Sequence, residues 1–464
     1  MARSLDGIEK AANLPKAERA TIAELVSIFY EHQKSNAKRT RYYEQRVTAG
    51  ECNLGIALPN GILGLEVSCC WPEKAVTALR DRSVFDGFVS QSGDTLPELD
   101  RIVRYNSLTA QYGMSVDDEL KHGGVLCTLS RNDATGCSIR FHTFESSACR
   151  WNGVKQRIDA AFAIIDSRKY NGDKDYKPSV VNLYTEDATW VLTRNEFDRW
   201  AARRTENGLG RVSAELMRHQ PSNTKPCGTS RISNSVMTLT RGYIRTITLA
   251  TIGLEFSTAP QKYLLGVSDD AYDALINTKF KKYVDSILLA TSDPNTGQVP
   301  QYGQLAQGSL TPHVDMLRML STQFAAVSSL SVTDVGVVND ANPTSADAVT
   351  AANEKLIRKA EDLNAFNGEA MRQIGMMALA ISRNRSLDQL QDEDKAIMAH
   401  FLNPSMPSMA ATADAATKIA SADPGFAGTD VYYEMLGFDA ATIARIQAQK
   451  RRNMGAGVID RVLS

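Results

Sequence analysis

The sequence has no apolar run approaching the roughly 18 unbroken residues of a membrane-spanning helix. Its opening, Met1 to Lys10, lacks the apolar core of a secretory signal. The expectation is a protein that resides in the cytoplasm of the cell that makes it. Charge of one sign is not in excess either: 52 Lys plus Arg stand against 53 Asp plus Glu, a formal net charge of -1. A generally basic nucleic-acid binder is thereby excluded, and contact with a polyanion must come from local placement of charge. Seven cysteines, Cys52, Cys69, Cys70, Cys127, Cys137, Cys149 and Cys227, are an odd number in a long chain. They fit reduced, packed thiols better than a disulfide framework.

Catalytic signatures are equally scarce. There is no glycine-rich loop ending in Lys-Ser/Thr, no His-Glu-x-x-His helix and no Gly-x-Ser-x-Gly elbow. Gly208-Leu209-Gly210 looks like the start of a dinucleotide fingerprint, but Ser213 holds the third glycine position and no strand pattern precedes it. His122, Cys127, Cys137 and His142 are possible zinc ligands whose spacing fits no compact knuckle, so packed thiols and ordinary strand histidines are the favoured reading. Asp392, Glu393 and Asp394 read as a solvated helix face. No catalytic residue, cofactor or metal site is assigned, and the expectation is a protein that is not an enzyme.

What is present is architectural. At 464 residues the chain can build two or three cores. Ala17 to Arg46 carries Ile22, Leu25, Val26, Phe29 and Tyr30 at helical spacing and ends in Lys34, Lys38, Arg39, Arg41 and Arg46, cations suited to a helix C-terminus. A second helix is expected over Glu73 to Arg82 and a third over about Leu96 to Leu120. Between Val125 and Leu192, short β-branched and aromatic runs separated by turn residues read as an antiparallel meander, which makes the fold α+β. Ser235 to Thr258 is rich in β-formers, yet Val236, Leu239, Tyr243, Ile247, Ala250 and Leu254 step by three and four, and the period predicts a long helix. Pro312 opens another, with Val314, Leu317, Leu320, Phe324 and Val327 as its stripe. Thr344 and Asp347 resemble a capping box ahead of the strongest helix, a rod of roughly 55 Å ending near Ser382, with a bend expected at Asn367-Gly368. The remainder reads as helical, broken at Asn403 to Pro407 and at Asp423-Pro424-Gly425.

Several motifs, taken in order, resemble those of tailed-bacteriophage portal proteins, the head-to-tail connectors of the portal vertex. They are Tyr42-Tyr43-Glu44, Trp71 through Arg82 to Gly87-Phe88, Leu120 to Val125, and Gly228-Thr229-Ser230-Arg231-Ile232. They continue with Glu255 to Gly266, Leu310-Thr311-Pro312 through Phe324-Ala325, Asn342 to Ala348, and Leu436-Gly437-Phe438-Asp439 followed by Ile443 to Arg452. The resemblance implies a portal-type subunit: an α/β wing (1–232), a stem of two helices (233–258 and 309–330) and a mixed clip with its return to the stem (259–308). A tunnel loop (331–345), a long kinked helix (346–384) and a helical C-terminal crown (385–464) complete it.

The resemblance further implies a ring, usually of twelve copies, at one capsid vertex of the virion, assembled in the host bacterial cytoplasm. Double-stranded DNA would pass through it, the terminase large subunit and neck or adaptor proteins would dock on it, and the major capsid or scaffolding protein would hold it; no membrane is involved. The tunnel loop would place Asp334, Asn339, Asp340 and Asn342 at the channel. That stretch, Ser331 to Ser345, has no Lys or Arg, as a channel that must not grip phosphates requires. Arg241 and Arg245 are candidates for the stem lumen, with pairing to Glu255 or to a neighbouring subunit equally open. Lys279, Lys281 and Lys282 in the clip are candidate terminase or neck contacts, or else a solvated basic face. Thr229 and Arg231 depart from the family pattern, and no contact is carried over to them. Tyr432-Tyr433 and the cations Arg445, Lys450, Arg451 and Arg452 fall in the crown, where helix-dipole pairing is favoured over DNA contact. The alternative is an oligomeric head–tail adaptor or scaffold that binds proteins only.

Overall fold

The computed structural model describes residues 5–52, 67–90, 96–134, 136–169, 175–258, 262–265, 299, 301–304, 308–336, 346–405, 409–438 and 442–452. The fold is α+β. Helix α1 (Lys16–Tyr43) presents Ile22, Leu25 and Phe29 as its buried face. It lies on a five-stranded antiparallel sheet ordered β4 (Ser147–Asn152), β5 (Arg157–Arg168), β6 (Lys177–Tyr184), β7 (Ala188–Arg194) and β8 (Trp200–Glu206). Phe29 meets Phe162 of β5 edge-on at 5.6 Å, inside a core shared with Leu183, Trp190 and Trp200.

A second sheet, β3 (Gly136–Thr143), β2 (Gly124–Asn132) and β9 (Ala214–Arg218), corrects the single expected meander. Strand β9 is five residues long and pairs β2 across some ninety residues of intervening chain, so no local alternation announced it. The expected helix over Leu96 to Leu120 is two: α2 (Trp71–Arg80) is followed by α3 (Pro97–Tyr105) and α4 (Leu108–His122). The break has a clear cause. Asn106 is buried and turns its amide onto the edge of β3, donating to the Cys137 carbonyl at 3.1 Å and accepting from the Ile139 N–H at 2.9 Å. Ser107 then takes φ 48° to restart the helix.

The long helices follow the apolar period. Helix α5 (Asn234–Thr258) is helical despite its β-formers, and Thr240, Thr246, Thr248 and Thr251 each donate their hydroxyl to the carbonyl four residues back. That internal bond is how a threonine-rich segment satisfies its polar groups inside a helix. Short strands β10 (Lys262–Leu265) and β11 (Gln301–Gln304) pair antiparallel beyond it, and α6 (Thr311–Ser328) returns alongside α5. Helix α7 (Ala346–Ser382) then runs back through the main core, burying Leu356, Ala360, Leu363, Met371, Ile374 and Met377. The capping-box residue Thr344 lies outside the described residues.

The expected all-helical remainder needs a correction. After the short α8 (Asp392–Lys395), residues Ile397–Phe401 form strand β12, which pairs antiparallel with β1 (Phe85–Ser90). This ribbon lies on α7 because Gly375 admits it: a Cβ there would stand 2.9 Å from both Ile397 and Phe88. Short-range periodicity could not show a strand whose partner lies more than 300 residues earlier. The chain continues into α9 (Met409–Ala422), α10 (Asp430–Met435) and helical residues 442–452. Lys450 there sits 5.0 Å over the Tyr433 ring, a cation–π contact in place of free charge. Asp394, expected on a solvated face, is buried and accepts from Arg383 at 2.5 Å.

Beneath the middle of α7 runs a directed chain of polar groups. The Ser83 hydroxyl donates to Asn364 Oδ1 at 2.6 Å, so it accepts from the Tyr112 hydroxyl at 2.8 Å. Tyr112 in turn accepts from Asn367 Nδ2, which also donates to Glu119 Oε2, at 3.0 and 2.8 Å. Glu119 Oε1 has no partner. Burial therefore raises this carboxyl to about 8 and keeps it protonated near neutrality.

Buried histidines act in the opposite sense: burial lowers His122 to about 3 and His142 and His219 to about 4. Below pH 6.5 the unfolded chain binds the extra histidine protons and stability falls as pH falls. Above it the folded chain holds the extra Glu119 proton and stability falls as pH rises towards 8. His400, raised by its bond to Asp86, adds to the alkaline side. Thermal midpoints should therefore peak near pH 6.5, and Glu119→Gln should flatten mainly the decline between pH 6.5 and 8.5; an unchanged alkaline decline in that variant would contradict the assignment.

Candidate functional site: the junction of body and stem

The two long helices α5 and α6 leave the α/β body at one place, and the sequence is specialised there. Gly123 and Gly228 cross backbone to backbone, with φ values of 99° and 94°, and a Cβ on Gly228 would fall 1.9 Å from the Gly123 carbonyl oxygen. No other residue fits that crossing. It positions Thr229 N–H on the His219 carbonyl at 2.7 Å and Arg231 N–H on the Leu120 carbonyl at 2.8 Å, so the segment entering α5 is tied to the end of α4. Ser230 adds hydroxyl bonds to the carbonyls of Leu120 and Lys121.

Two side chains then bind α5 and α6 to the body. Trp71, at the start of α2, stacks on Phe324 of α6 with centroids 4.8 Å apart and planes 7° from parallel. It also meets Tyr243 of α5 at 4.7 Å and 52°. A single indole thus touches both α5 and α6. The Arg231 guanidinium, buried beside it, donates to the carbonyl of Ala75 in α2 and, at 2.6 Å, to that of Ser328 in the last turn of α6. A cation on the C-terminal carbonyls of a helix also opposes the negative end of its dipole. Burial lowers Arg231 to about 10, which still leaves it charged at neutral pH. The sequence reading carried no contact to Arg231; the one available signal was a lone cation in an otherwise neutral linker.

The candidate residues distribute unevenly. Arg241 is exposed on α5, where it joins Lys38, Arg41, Tyr42, Val47 and Glu51 around a cleft of about 190 Å³; Arg41 and Glu51 are paired there at 2.6 Å. Arg245 is half-buried one turn further on, and the side chain of Glu255 lies outside the described residues. Asp334 is exposed in the turn Thr333–Val335, where its carboxylate accepts from the Ser331 N–H at 3.3 Å and its own N–H donates to the Ser331 hydroxyl at 3.1 Å. Asn339, Asp340, Asn342, Lys279, Lys281 and Lys282 lie outside the described residues.

The metal and dinucleotide readings find no geometry. Cys127 faces Phe141 and Cys137 faces Arg131 in the β2–β3 ladder, while His142 Nε2 is hydrogen-bonded to Thr128 Oγ1 at 2.9 Å. Among the described residues, no group of three His, Cys, Asp or Glu could hold a metal ion. Gly208 and Gly210 make the loop from β8 to β9, with φ of 65° and 74°, and no helix follows them. Among the described residues, no helix is long and apolar enough to cross a membrane.

Comparison with known proteins bears directly on this junction. Residues 230–455 match the family model "Phage portal protein, SPP1 Gp6-like", so the match opens at Ser230, in the segment that leads into the stem. The portal protein of Mycobacterium phage D29 is 25% identical over 412 residues, covering 85% of this chain and 81% of its own length. That of Mycobacterium phage L5 is 25% identical over 411 residues, with the same coverage. Together these matches support a tailed-phage portal protein, the class that the order of motifs resembles. Among solved structures, a chain from "Neck of empty GTA particle computed with C6 symmetry" is 11% identical, with TM-score 0.45, covering 79% of this chain and 90% of that one. A chain from "Virion of native gene transfer agent (GTA) particle" is also 11% identical, with TM-score 0.44 and coverage of 87% and 93%. At those scores the likeness carries no argument about this chain.

The junction makes a sharp prediction. Trp71→Ala should cost about 3–5 kcal/mol, the range for emptying a large aromatic site. Thermal unfolding and limited proteolysis between residues 220 and 233 would read it, and Trp71→Phe should recover most of the loss. Equal behaviour of the alanine variant and the wild type would remove Trp71 from its role.

Proposed function

We propose that this chain is the subunit of a ring, of about twelve copies, that forms the portal vertex of a tailed-phage capsid and connects head to tail. Double-stranded DNA passes through the ring during packaging and ejection. The terminase large subunit and the neck or adaptor proteins dock on it, and the major capsid or scaffolding protein seats it in the shell. It works without catalysis: the energy of translocation comes from the terminase, and the ring supplies a fixed, aligned passage.

One observation supports assembly most directly. Beside the buried Leu320 and Phe324 of helix α6, Met316, Met319 and Val327 extend its apolar surface and are 40, 47 and 41% exposed. A stem helix whose apolar surface is wider than the part it buries is suited to a neighbouring stem. The channel face is argued from charge. Ser331 to Ser345 carries Asp334 and Asp340 and no cation, so duplex phosphates gain no ion pair there and the DNA is free to slide. In this reading Asn339 and Asn342 share that loop, Arg241 and Arg245 stand along the stem, and Lys279, Lys281 and Lys282 form the clip's docking face.

Deleting Ser331 to Ser345 with a short glycine linker tests the channel assignment. Rings should still form and seat in capsids, while the DNA packaged or retained per particle should fall several-fold. Packaging at the wild-type level would withdraw the loop from the channel and return the chain to the protein-only adaptor reading.

A further inference from the structure

Between α1, the turn joining β3 to β4, and the loop 224–230 there is a half-open cavity of about 400 Å³, a volume typical of small-molecule sites. It shares only that loop with the body–stem junction. Part of its wall is apolar, with Ile28, Phe29 and Phe144; the polar part includes Arg39, His122 and Lys225, and no lining residue is Asp or Glu.

Two of these groups lack what their chemistry requires. The Arg39 guanidinium is half-buried, Nη1 donates to Asn36 Oδ1 on its own helix at 3.2 Å, and among the described residues no carboxylate pairs with it. Burial alone pulls its basicity down, with no anion opposing the effect. The His122 side chain is fully buried, and neither ring nitrogen is hydrogen-bonded. The nearest carboxylate oxygen, Glu145 Oε2, stands 3.9 Å from Nε2, beyond bonding distance, while Oε1 of the same group accepts from the Thr40 hydroxyl at 2.9 Å. An orphaned buried donor costs about 1–3 kcal/mol. A water can satisfy an imidazole, but it cannot neutralise a guanidinium that is partly withdrawn from bulk solvent.

We propose that this cavity is a binding site for a carboxylate carried on an apolar body, the anion held by Arg39 and the His122 ring and the apolar part lying against Phe29 and Phe144. The pairing suits the fork of donors that a guanidinium offers to a carboxylate. Either a free organic acid or the C-terminal end of a protein segment supplies that chemistry.

Titration calorimetry on the purified full-length protein at pH 7 tests the site, with phenylacetate, its neutral counterpart phenylacetamide, inorganic phosphate, and the tripeptide Gly-Gly-Phe with a free or an amidated C-terminus. The free acids should bind at least tenfold more tightly than the matching amides, and Arg39→Met should abolish that difference while leaving the thermal midpoint near that of the wild type. Arg39→Lys should recover part of it. Tighter binding of the free tripeptide than of phenylacetate identifies a protein terminus as the source, and the reverse order identifies a small acid; both orders uphold the site. Equal affinity for acid and amide, phosphate binding more tightly than either acid, or an acid preference unchanged by Arg39→Met would overturn it.

Discussion

Helices α5 and α6 meet the α/β body at one packing constraint: a single indole wedged against both of them. Trp71 stacks on Phe324 and leans on Tyr243, so α5 and α6 cannot separate or rotate without exposing it. The Arg231 guanidinium reinforces the same point through polar bonds, joining α2 to the last turn of α6.

The parts of the body close on one another over long sequence distances. Strand β12 returns to β1 and clamps α7 at Gly375, and β9 returns to β2 beside the segment that feeds the stem. Under α7, the chain from Ser83 through Tyr112 and Asn367 to Glu119 ties the helix to α4 and to Ser83, each hydroxyl donating one bond and the Asn367 amide donating two. A protonated Glu119 is the consequence: an anion there would have a single donor and no countercharge. Specificity of packing is obtained at the cost of a group that is content only below about pH 8.

Long helices were legible in the sequence because their apolar spacing repeats over many turns. In α5 that spacing outweighed a composition that favours strands, and the structure sides with the spacing. Trp71 and the Gly-x-Ser turn at Gly228 were visible as motifs, although the reason for the glycine, a backbone crossing with Gly123, needs a partner over a hundred residues away. The failures share that cause. The break at Asn106, the short strand β9 and the β1–β12 ribbon are all set by distant partners, so no local window contains them. Arg231 and the pair Arg39 with His122 were missed for a further reason: what distinguishes Arg231 is burial against distant carbonyls, and what distinguishes Arg39 and His122 is burial without a countercharge or an imidazole partner, and none of these exists in a linear sequence. Of the residues assigned to the channel and clip by resemblance, Arg241, Arg245 and Asp334 fall within the described residues.

The proposed closed ring of copies would draw on α5 and α6 as its stem, on the exposed apolar residues of α6 as its contact between copies and on the cation-free segment Ser331 to Ser345 as its channel. The native mass of the purified protein by mass photometry tests that claim most directly. Copies of 50.8 kDa in a ring of twelve give a species near 610 kDa, with one more or one fewer subunit still consistent with a closed ring. A protein that remained a 50.8 kDa monomer or a dimer, both alone and together with its scaffolding protein, would contradict the account.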